Sequence, residues 1–345
     1  MKIGKYRLSY KTKPFLIAEI SANHCGSLSS AKDHIIAAKE YGADAVKIQT
    51  YTADTMTLNS KSKDFFISKG RWKGQTLYSL YKKAETPFEW HKELFEYAKK
   101  NNIIIFSTPF DESAVDLLQS LKTPAYKVAS FELTDIPLLT YISKTKKPTL
   151  ISTGMSTERE IQQSLKVFRN YSNQNILLFH CISEYPANFA TSNLGMINIL
   201  KKFGTLVGLS DHTIGFEASI VATTLGVSAI EKHFTISRSS KSEDSAFSTE
   251  PKEFLELSKI IKDVHNNFKN KKWVRNKGEI NNKIFRRSIY FIKDLKKGDI
   301  ISKDNIKRVR PGMGLKPELY ENIIGKRLIK NVKLGQRVSR GLLKK

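Results

Sequence analysis

The chain has 345 residues, 40% hydrophobic and 10% aromatic, a composition typical of globular rather than disordered proteins. Its length predicts one large domain and a small one. Lys and Arg number 58 against 33 Asp and Glu, for a net charge of +25. Most of the basic residues are lysines spread through the chain, not an arginine-rich tract with interleaved aromatics, so we expect no nucleic-acid partner.

The sequence also argues against export and membrane insertion. Two cysteines, Cys25 and Cys181, are too few for a disulfide framework. The first apolar run, residues 15–20, contains a carboxylate and follows a polar segment without a cleavage site, which predicts no signal peptide. No apolar stretch approaches the roughly 20 residues that cross a bilayer. We therefore expect a cytoplasmic protein that does not associate with membranes.

From residue 15 to about residue 268, short apolar runs alternate with amphipathic segments. Eight runs are predicted as strands: 15–20, 45–49, 103–108, 126–130, 149–152, 176–180, 206–210 and 229–233. Six helices are predicted: 29–41, 87–100, 112–121, 157–169, 216–225 and 251–266. This repetition favours an α/β fold of the (β/α)8 TIM-barrel type over an open doubly wound sheet. Segment 51–85 is too long for an ordinary connection and is predicted to fold over the barrel mouth.

The pattern changes after the last predicted helix. Residues 269–282, rich in Lys and Asn, are predicted to link a barrel domain, 1–268, to a second domain, 283–345. Short alternating pieces such as 288–292 predict a small, mostly β second domain. So few residues form only a marginal core, and we expect this domain to pack on another surface.

Polar residues cluster at the predicted carboxyl ends of the strands, where TIM barrels place their active sites. Lys47 and Lys127 lie in alternating sequences that point them into the barrel. An interior lysine needs an anion, and Ser130, Ser152 and Ser210 add hydroxyl donors. The set suits a phosphate or carboxylate. The alternative is that each lysine is a simple ion-pair partner and each serine a helix cap.

His212 and His233 end the last two predicted strands and are therefore expected to be neighbours. Two facing imidazoles with open positions suggest a divalent metal, Mn2+ or Mg2+ with Co2+ also suitable, rather than a closed structural zinc site. The alternative is two hydrogen-bonded residues at the rim. Glu19 ends a buried apolar run, so it is either functional or paired with an interior lysine. Both cysteines are interpreted as packing residues.

Several ordered motifs resemble the sialic-acid synthase family over nearly the whole chain. They are residues 18–24, 47–50, 106–110, 126–130, 152–155, 208–212 and 231–234. Residues 286–290 and 309–315 are similar to the antifreeze-like (SAF) domain of that family. The resemblance implies a barrel that binds phosphoenolpyruvate and a divalent metal. It also implies a domain-swapped homodimer whose small domain covers the partner's active site.

The resemblance also implies roles for individual residues. Glu19, Lys47 and His233 are expected to be catalytic, and His212 and His233 to bind the metal. The expected phosphoenolpyruvate shell comprises Lys47, Thr108, Lys127, Ser130, Ser152 and Ser210. Gln49, Tyr185 and Asp244 are expected near an N-acetylated amino sugar, whose N-acyl group meets the partner subunit's Arg310.

Within the family, residues 21–24, 80–84 with 86–91, and 242–248 are similar to the pseudaminic acid synthase branch. The Gly-Pro-Asp-His fragment usual in sialic acid synthases is absent. The expected acceptor is 2,4-diacetamido-2,4,6-trideoxy-altrose. An N-acetylneuraminate or legionaminic acid synthase is the alternative. A non-catalytic sugar- or nucleic-acid-binding protein on a barrel scaffold is a more distant one.

Overall fold

The computed structural model describes residues 1–69, 72–240, 242–268 and 273–344. The chain divides into two compact units, 1–270 and 271–345. This division falls within the segment predicted as a linker, of which residues 269–272 lie outside the described residues. No helix in the described ranges has the length and apolar composition needed to span a membrane.

The first unit is a closed barrel of eight parallel strands preceded by a short hairpin. The hairpin strands are β1 (Lys2–Ile3) and β2 (Tyr6–Arg7). The barrel strands are β3 (Phe15–Glu19), β4 (Ala45–Thr50), β5 (Ile104–Pro109), β6 (Tyr126–Val128), β7 (Thr149–Ser152), β8 (Ile176–Cys181), β9 (Leu206–Asp211) and β10 (Ala229–His233). Strand β10 pairs with β3 and closes the barrel, which confirms the predicted TIM barrel.

Helices lie in the connections between strands and after the last strand, most of them around the barrel and two, in segment 51–85, at its mouth. They are α1 (Leu28–Glu40), α2 (Ala53–Met56), α3 (Leu77–Ala84), α4 (Phe88–Lys100), α5 (Glu112–Ser120), α6 (Ile136–Lys144), α7 (Glu158–Asn170), α8 (Met196–Leu200), α9 (Glu217–Thr224) and α10 (Pro251–Phe268). The sequence prediction missed α6, whose proline and β-branched residues hide the helical pattern. The helix begins at Asp135, whose side chain accepts a hydrogen bond from the Leu138 amide at 3.1 Å.

The lower part of the barrel interior is apolar and closed. Inward-pointing residues such as Phe15, Ile17 and Phe106 pack together, and Ile3 and Leu8 from the hairpin region join the same cluster. Alternate residues of each strand point inward, so one short apolar stretch per strand fills this layer. The hairpin therefore plugs the amino-terminal end, and only the carboxyl-terminal end is available for a site.

The second unit is small and contains strands, as predicted, but most of its described residues lie outside strands. Strands β11 (Ser288–Phe291) and β12 (Ile306–Val309) are antiparallel, and α11 (Lys277–Asn281) and α12 (Tyr320–Ile323) are its short helices. Its own core includes Ile289, Phe291 and Val338. Residues 271–345 contain 23 Lys and Arg but only 6 Asp and Glu. The basic residues are therefore concentrated here, not spread evenly as the sequence analysis assumed.

Gly208 of β9 is predicted to be essential for the packing of the barrel interior. It lies opposite Phe179 of β8, and a Cβ atom at Gly208 would be 2.4 Å from Phe179 Cε1 and 2.8 Å from the Ala229 carbonyl oxygen. Gly208→Ala should lower the free energy of unfolding by about 1–3 kcal/mol, measured by urea denaturation. Gly195→Ala is the control, because the nearest atom to its added Cβ would be 3.8 Å away. Equal stabilities of the two variants would contradict the prediction.

Candidate active site

The top layer of the barrel interior is polar. On β3, Phe15 and Ile17 are followed by Glu19, and on β4 Ala45 is followed by Lys47. The same change from apolar to polar occurs around the barrel. The buried polar residues of this layer are Glu19, Lys47, Thr108, Lys127, Ser152, Ser210 and Glu231. Parallel pairing places Glu19 opposite Lys47 on one side and His233 on the other. The structure thus brings the predicted strand-end residues together.

Four charged side chains, Glu19, Lys47, Lys127 and Glu231, form what we call the charged quartet. Lys47 Nζ makes an ion pair with Glu19 Oε2. Glu231 Oε1 lies 3.8 Å from both Lys47 Nζ and Lys127 Nζ. All four residues are almost completely buried, so their charges are compensated mainly by one another.

Burial and neighbouring charges shift the pKa values of Lys47 and Glu231. Burial lowers the pKa of Lys47 to about 8, although Glu231 opposes this effect. Burial alone would raise the pKa of Glu231, but the positive charges of Lys127 and Lys47 outweigh burial and lower it. Glu231 is therefore a carboxylate at neutral pH, and Lys47 loses its proton at lower pH than an ordinary lysine.

Ser21, two residues further along the chain, holds the Glu19 carboxylate in one orientation. Its Oε1 accepts hydrogen bonds from the Ser21 amide at 2.7 Å and the Ser21 hydroxyl at 2.9 Å. With Oε2 paired to Lys47, both oxygens are fixed. Glu19 therefore presents a fixed negative charge at the floor of the site. The sequence analysis offered two interpretations of Glu19, an ion pair with an interior lysine or a functional carboxylate. The observed geometry is compatible with both at once.

Hydroxyl groups surround the lysines. Lys47 Nζ donates to Thr108 Oγ1 at 3.1 Å, and Lys127 Nζ donates to Ser152 Oγ at 2.6 Å. Ser210 Oγ donates to Glu231 Oε1 at 3.1 Å. Ser130 Oγ accepts a hydrogen bond from the Gly154 amide at 3.2 Å. Ammonium groups and hydroxyls converging on one cavity are suited to bind an anion with several oxygens.

His212 and His233 are neighbours, with ring centroids 5.4 Å apart. His212 Nδ1 lies 2.7 Å from the Ile182 carbonyl oxygen, which can only accept, so Nδ1 carries the proton and Nε2 keeps a free lone pair. Burial lowers the pKa of His212 to about 4. Burial and the charges of His212 and Lys47 hold the pKa of His233 well below its usual value. Both rings are neutral at physiological pH.

Neutral imidazoles are the form that binds a divalent cation. His233 Nδ1 is buried and has no hydrogen-bond partner in the described part of the chain, while Asp244 Oδ2 is 3.8 Å away. No group of three or more His, Cys, Asp or Glu side chains among the described residues is arranged to hold a metal. The donor set therefore fits an open site with two protein nitrogens and further ligands from substrate or water, not a closed structural zinc site.

A cavity of about 480 Å3 opens above the quartet and the imidazoles. Gln49, Tyr185 and Asp244, all predicted site residues, contribute to its wall. Segment 51–85 forms much of the opposite wall, as expected for a segment over the mouth. Its lining residues are mostly apolar: Tyr51, Met56, Ile67, Trp72, Leu77, Leu80, Tyr81 and Ala84. The volume suits a small ligand, and the cavity has one charged side and one apolar side.

Two further polar residues at the strand ends do not line the cavity. Asp211 points out of the barrel, where its Oδ2 is 3.0 Å from Lys232 Nζ. His24 packs against Trp90 with ring centroids 5.5 Å apart. Arg310 belongs to the second unit, and its role in the site stays a prediction.

Comparison with known proteins agrees with this geometry. The NeuB family model matches residues 34–272, and the SAF domain model matches residues 286–339. The chain therefore belongs to the NeuB family. It is 42% identical over 342 residues to a pseudaminic acid synthase of Campylobacter jejuni, covering 99% of both chains. It is 44% identical over 322 residues to a pseudaminic acid synthase of Helicobacter pylori, covering 93% of this chain and 95% of that one.

A solved structure of a NeuB-like architecture matches both units. The crystal structure of the spore coat polysaccharide biosynthesis protein SpsE from Bacillus subtilis has a TM-score of 0.68 and 30% identity, and the match covers 100% of this chain and 99% of that one. The barrel and the small C-terminal domain of the NeuB family are thus both present.

Two acidic residues of this NeuB site were missing from the predicted set. Glu231 could have been found from strand alternation, because it lies two residues before His233 and must face the same way. Glu132 lies beyond the end of β6, in a short helix that no strand pattern reaches. Burial outweighs the charge of Lys127 and raises the pKa of Glu132 to about 7.

Anion binding by this site should weaken at alkaline pH. Because the Lys47 pKa is lowered to about 8, its positive charge is present below that pH and is lost above it. The affinity for sulfate, an anion that does not itself titrate in this range, should fall by up to tenfold per pH unit above about pH 8, measured by calorimetry.

The charge-preserving variant Lys47→Arg is the control for this prediction. Arginine stays protonated throughout, so the loss above about pH 8 should disappear even if sulfate binds less tightly overall. Constant sulfate affinity in the unmodified protein up to about pH 10 would show that Lys47 keeps its proton.

Proposed function

We propose that this protein joins phosphoenolpyruvate to 2,4-diacetamido-2,4,6-trideoxy-altrose, with addition of water, to give pseudaminic acid and phosphate. The observation that carries the proposal is a cavity in which an anion-binding set meets two neutral imidazoles. Both relatives described above are pseudaminic acid synthases, which favours this reaction over the sialic and legionaminic alternatives.

Phosphoenolpyruvate would bind over the lysines. Its phosphate and carboxylate are matched by Lys47 and Lys127, and its oxygens by the hydroxyls of Thr108, Ser130, Ser152 and Ser210. In the free protein the lysines are held by Glu19 and Glu231, so they are already in place and largely desolvated when the anion arrives. This preorganisation reduces the rearrangement needed on binding.

The two imidazoles are the ligands that this chain offers to a divalent ion, Mn2+ or Mg2+, with Co2+ also suitable. The Ile182 carbonyl fixes His212 with its Nε2 lone pair available, and His233 Nδ1 has no competing hydrogen bond within the described residues. A divalent cation held there would supply Lewis acidity toward the aldehyde of the open-chain sugar.

The chemistry then requires carbon 3 of phosphoenolpyruvate to form a bond to the aldehyde carbon. Carbon 2 becomes electron-poor, and the fixed carboxylate of Glu19 stabilises that positive charge. Water adds at carbon 2, and the proton that it releases neutralises the alkoxide formed from the aldehyde oxygen. Cleavage of the bond between carbon 2 and the phosphate oxygen then leaves the new keto group, and the remaining hydroxyl proton leaves with the phosphate. Lys47 and Lys127 hold the phosphate throughout. Positioning the two reactants in one closed cavity supplies much of the acceleration.

The identity of the acceptor sugar is inferred from the chemistry of the cavity walls. Tyr185 and Asp244 lie beside the imidazoles: the Tyr185 and His212 ring centroids are 4.3 Å apart, and Asp244 Oδ2 is 3.8 Å from His233 Nδ1. Gln49 is a further polar residue of the cavity wall. The wall from segment 51–85 offers mainly carbon atoms. A sugar with a methyl group at carbon 6 and acetamido methyls buries apolar surface there, whereas N-acetylmannosamine would place hydroxyls against it.

We further propose that the protein works as a domain-swapped homodimer in which the second unit covers the partner's cavity and delivers Arg310. Residues 273–287 support this, because they are exposed throughout and include the apolar side chains of Trp273, Val274, Ile284 and Phe285. Such a segment is expected to be covered in the working assembly. We place the reaction in the cytoplasm, where Cys25 and Cys181 remain thiols.

The acceptor assignment is tested by phosphate release from phosphoenolpyruvate in the presence of manganese. We expect release with the diacetamido-trideoxy-altrose, little with its mannose-configured isomer or N-acetylmannosamine, and none without sugar or with a chelator. Preference for another sugar would change the product. Absence of phosphate release with every sugar would favour the non-catalytic alternative, which a salt-sensitive gel shift with DNA or RNA would then examine.

The domain swap predicts complementation between two inactive variants. Glu19→Gln and Arg310→Ala should each lose most of their turnover, because one lacks the fixed carboxylate and the other the arginine. In a mixed dimer, one site would combine an intact Glu19 with the partner subunit's Arg310. Co-expression with two affinity tags should restore about one quarter of wild-type activity in a random mixture. No recovery in purified heterodimers would place Arg310 in its own subunit's site or outside the mechanism.

A further inference from the structure

Asn23 is a buried polar residue that the proposed mechanism does not use. It lies in the short helix Ser21–His24 that directly follows β3, four residues after Glu19, and is 0% exposed. Residues 21–24 and 242–248 are two of the fragments whose sequences resemble the pseudaminic acid synthase branch. In the structure these fragments are in direct contact, although more than 210 residues separate them in sequence.

Both N–H groups and the oxygen of the Asn23 carboxamide are hydrogen-bonded, and two of these three bonds join the two fragments. Its Nδ2 donates to the Phe234 carbonyl oxygen at 2.8 Å and to Ser248 Oγ at 2.9 Å. Its Oδ1 accepts from Ser242 Oγ at 2.5 Å. The Phe234 carbonyl can only accept, so the orientation of the amide is unambiguous. Because all these groups are buried, losing any one of the bonds leaves an unpaired polar atom.

These bonds hold the 242–249 loop, which follows β10 and carries Asp244 into the cavity. Ser248 Oγ, bound to Asn23, also donates to the Asp244 carbonyl oxygen at 2.8 Å. The loop is also held by the Thr249 amide, which donates to the His233 carbonyl at 2.8 Å, and by Arg238 Nε, which donates to the Ser248 carbonyl at 3.0 Å. Asn23 adds a tie from the loop to the short helix that follows β3, the strand that carries Glu19.

The position of the loop sets the geometry beside His233. Asp244 Oδ2 is 3.8 Å from His233 Nδ1, and the Phe247 ring centroid is 5.0 Å from that of His233 and 5.3 Å from that of Tyr185. A displacement of the loop would therefore move the proposed sugar side of the cavity. The lysines and hydroxyls that face the phosphate lie on other strands and would not move with it.

We propose that Asn23 is a positioning residue for the acceptor sugar: its carboxamide fixes the 242–249 loop and so the placement of Asp244 and Phe247 beside His233. This inference rests on the proposed function, in which Asp244 and Tyr185 contact the acceptor. In this proposal, Asn23 joins residues 21–24 and 242–248 in one buried unit. Asn23 shapes the acceptor site without contacting the acceptor.

Asn23→Asp tests the proposal, because it keeps the shape of the side chain but replaces the donating nitrogen with an oxygen that faces the Phe234 carbonyl. Ser242→Ala is a milder second variant that removes one bond and leaves Asn23 in place. We expect the acceptor KM to rise tenfold or more for Asn23→Asp and several-fold for Ser242→Ala. The Kd for phosphoenolpyruvate without acceptor should stay within about twofold of the wild-type value.

Asn173→Asp is the matched control. Asn173 is equally buried, and its Nδ2 donates to the Lys147 carbonyl at 3.0 Å while its Oδ1 accepts from the Asn175 amide at 3.1 Å. It lies between α7 and β8, at the amino-terminal end of the barrel. Its variant should lose thermal stability but keep the wild-type acceptor KM, since a general loss of stability does not select one substrate.

Hydrogen exchange followed by mass spectrometry gives a readout that does not depend on activity. Peptides covering residues 242–249 should exchange faster in Asn23→Asp and Ser242→Ala, but not in Asn173→Asp. Folded variants with wild-type acceptor KM and unchanged exchange in this loop would overturn the proposal. The acceptor panel on the wild-type protein tests the proposed function separately. If the wild-type protein accepts a different sugar, the KM values are compared with that sugar. If it accepts none of the sugars, the hydrogen-exchange result alone decides whether Asn23 fixes the 242–249 loop.

Discussion

Four buried charges, two lysines and two glutamates, share the top layer of the barrel interior, and the rest of the site is arranged around them. Burying even one such charge unpaired would be strongly destabilising, so each must lie next to a partner of opposite sign. The closed parallel barrel provides this pairing because it places strand ends in a ring. Glu19 on β3 thereby meets Lys47 on β4, and Glu231 on β10 lies between Lys47 and Lys127.

The quartet is close to neutral in the free protein, and this constrains how it can bind an anion. Phosphoenolpyruvate carries several negative charges. When the two lysines contact it, the two carboxylates of the quartet remain close by and repel it. A divalent cation at the imidazoles and an arginine from a second subunit would add the missing positive charge. The neutral state of His212 and His233, caused by burial, keeps those nitrogens available for the cation instead of for protons.

Selectivity for the second substrate depends on parts of the chain that are not barrel strands. The apolar wall comes from segment 51–85, and the loop that carries Asp244 is held by Asn23 across the β3 and β10 ends. The anion side is built mostly on strand ends, whereas much of the proposed acceptor side is built on connections held by packing and a few hydrogen bonds. Differences in acceptor within one family can therefore arise in these connections while the strand-end chemistry stays the same.

The sequence by itself determined the barrel, the order of its strands and most of the residues that meet at their ends. It could do so because alternation along a strand and the common direction of parallel strands convert sequence position into spatial position. The lysine and histidine positions followed from this rule, and Glu231 could have. Only the tertiary structure decided which oppositely charged groups pair, that Asp211 turns outward to Lys232, and that Glu132 joins the cavity wall. It alone joined Asn23 to Ser242 and Ser248, because contacts between irregular segments far apart in sequence have no period from which they can be predicted.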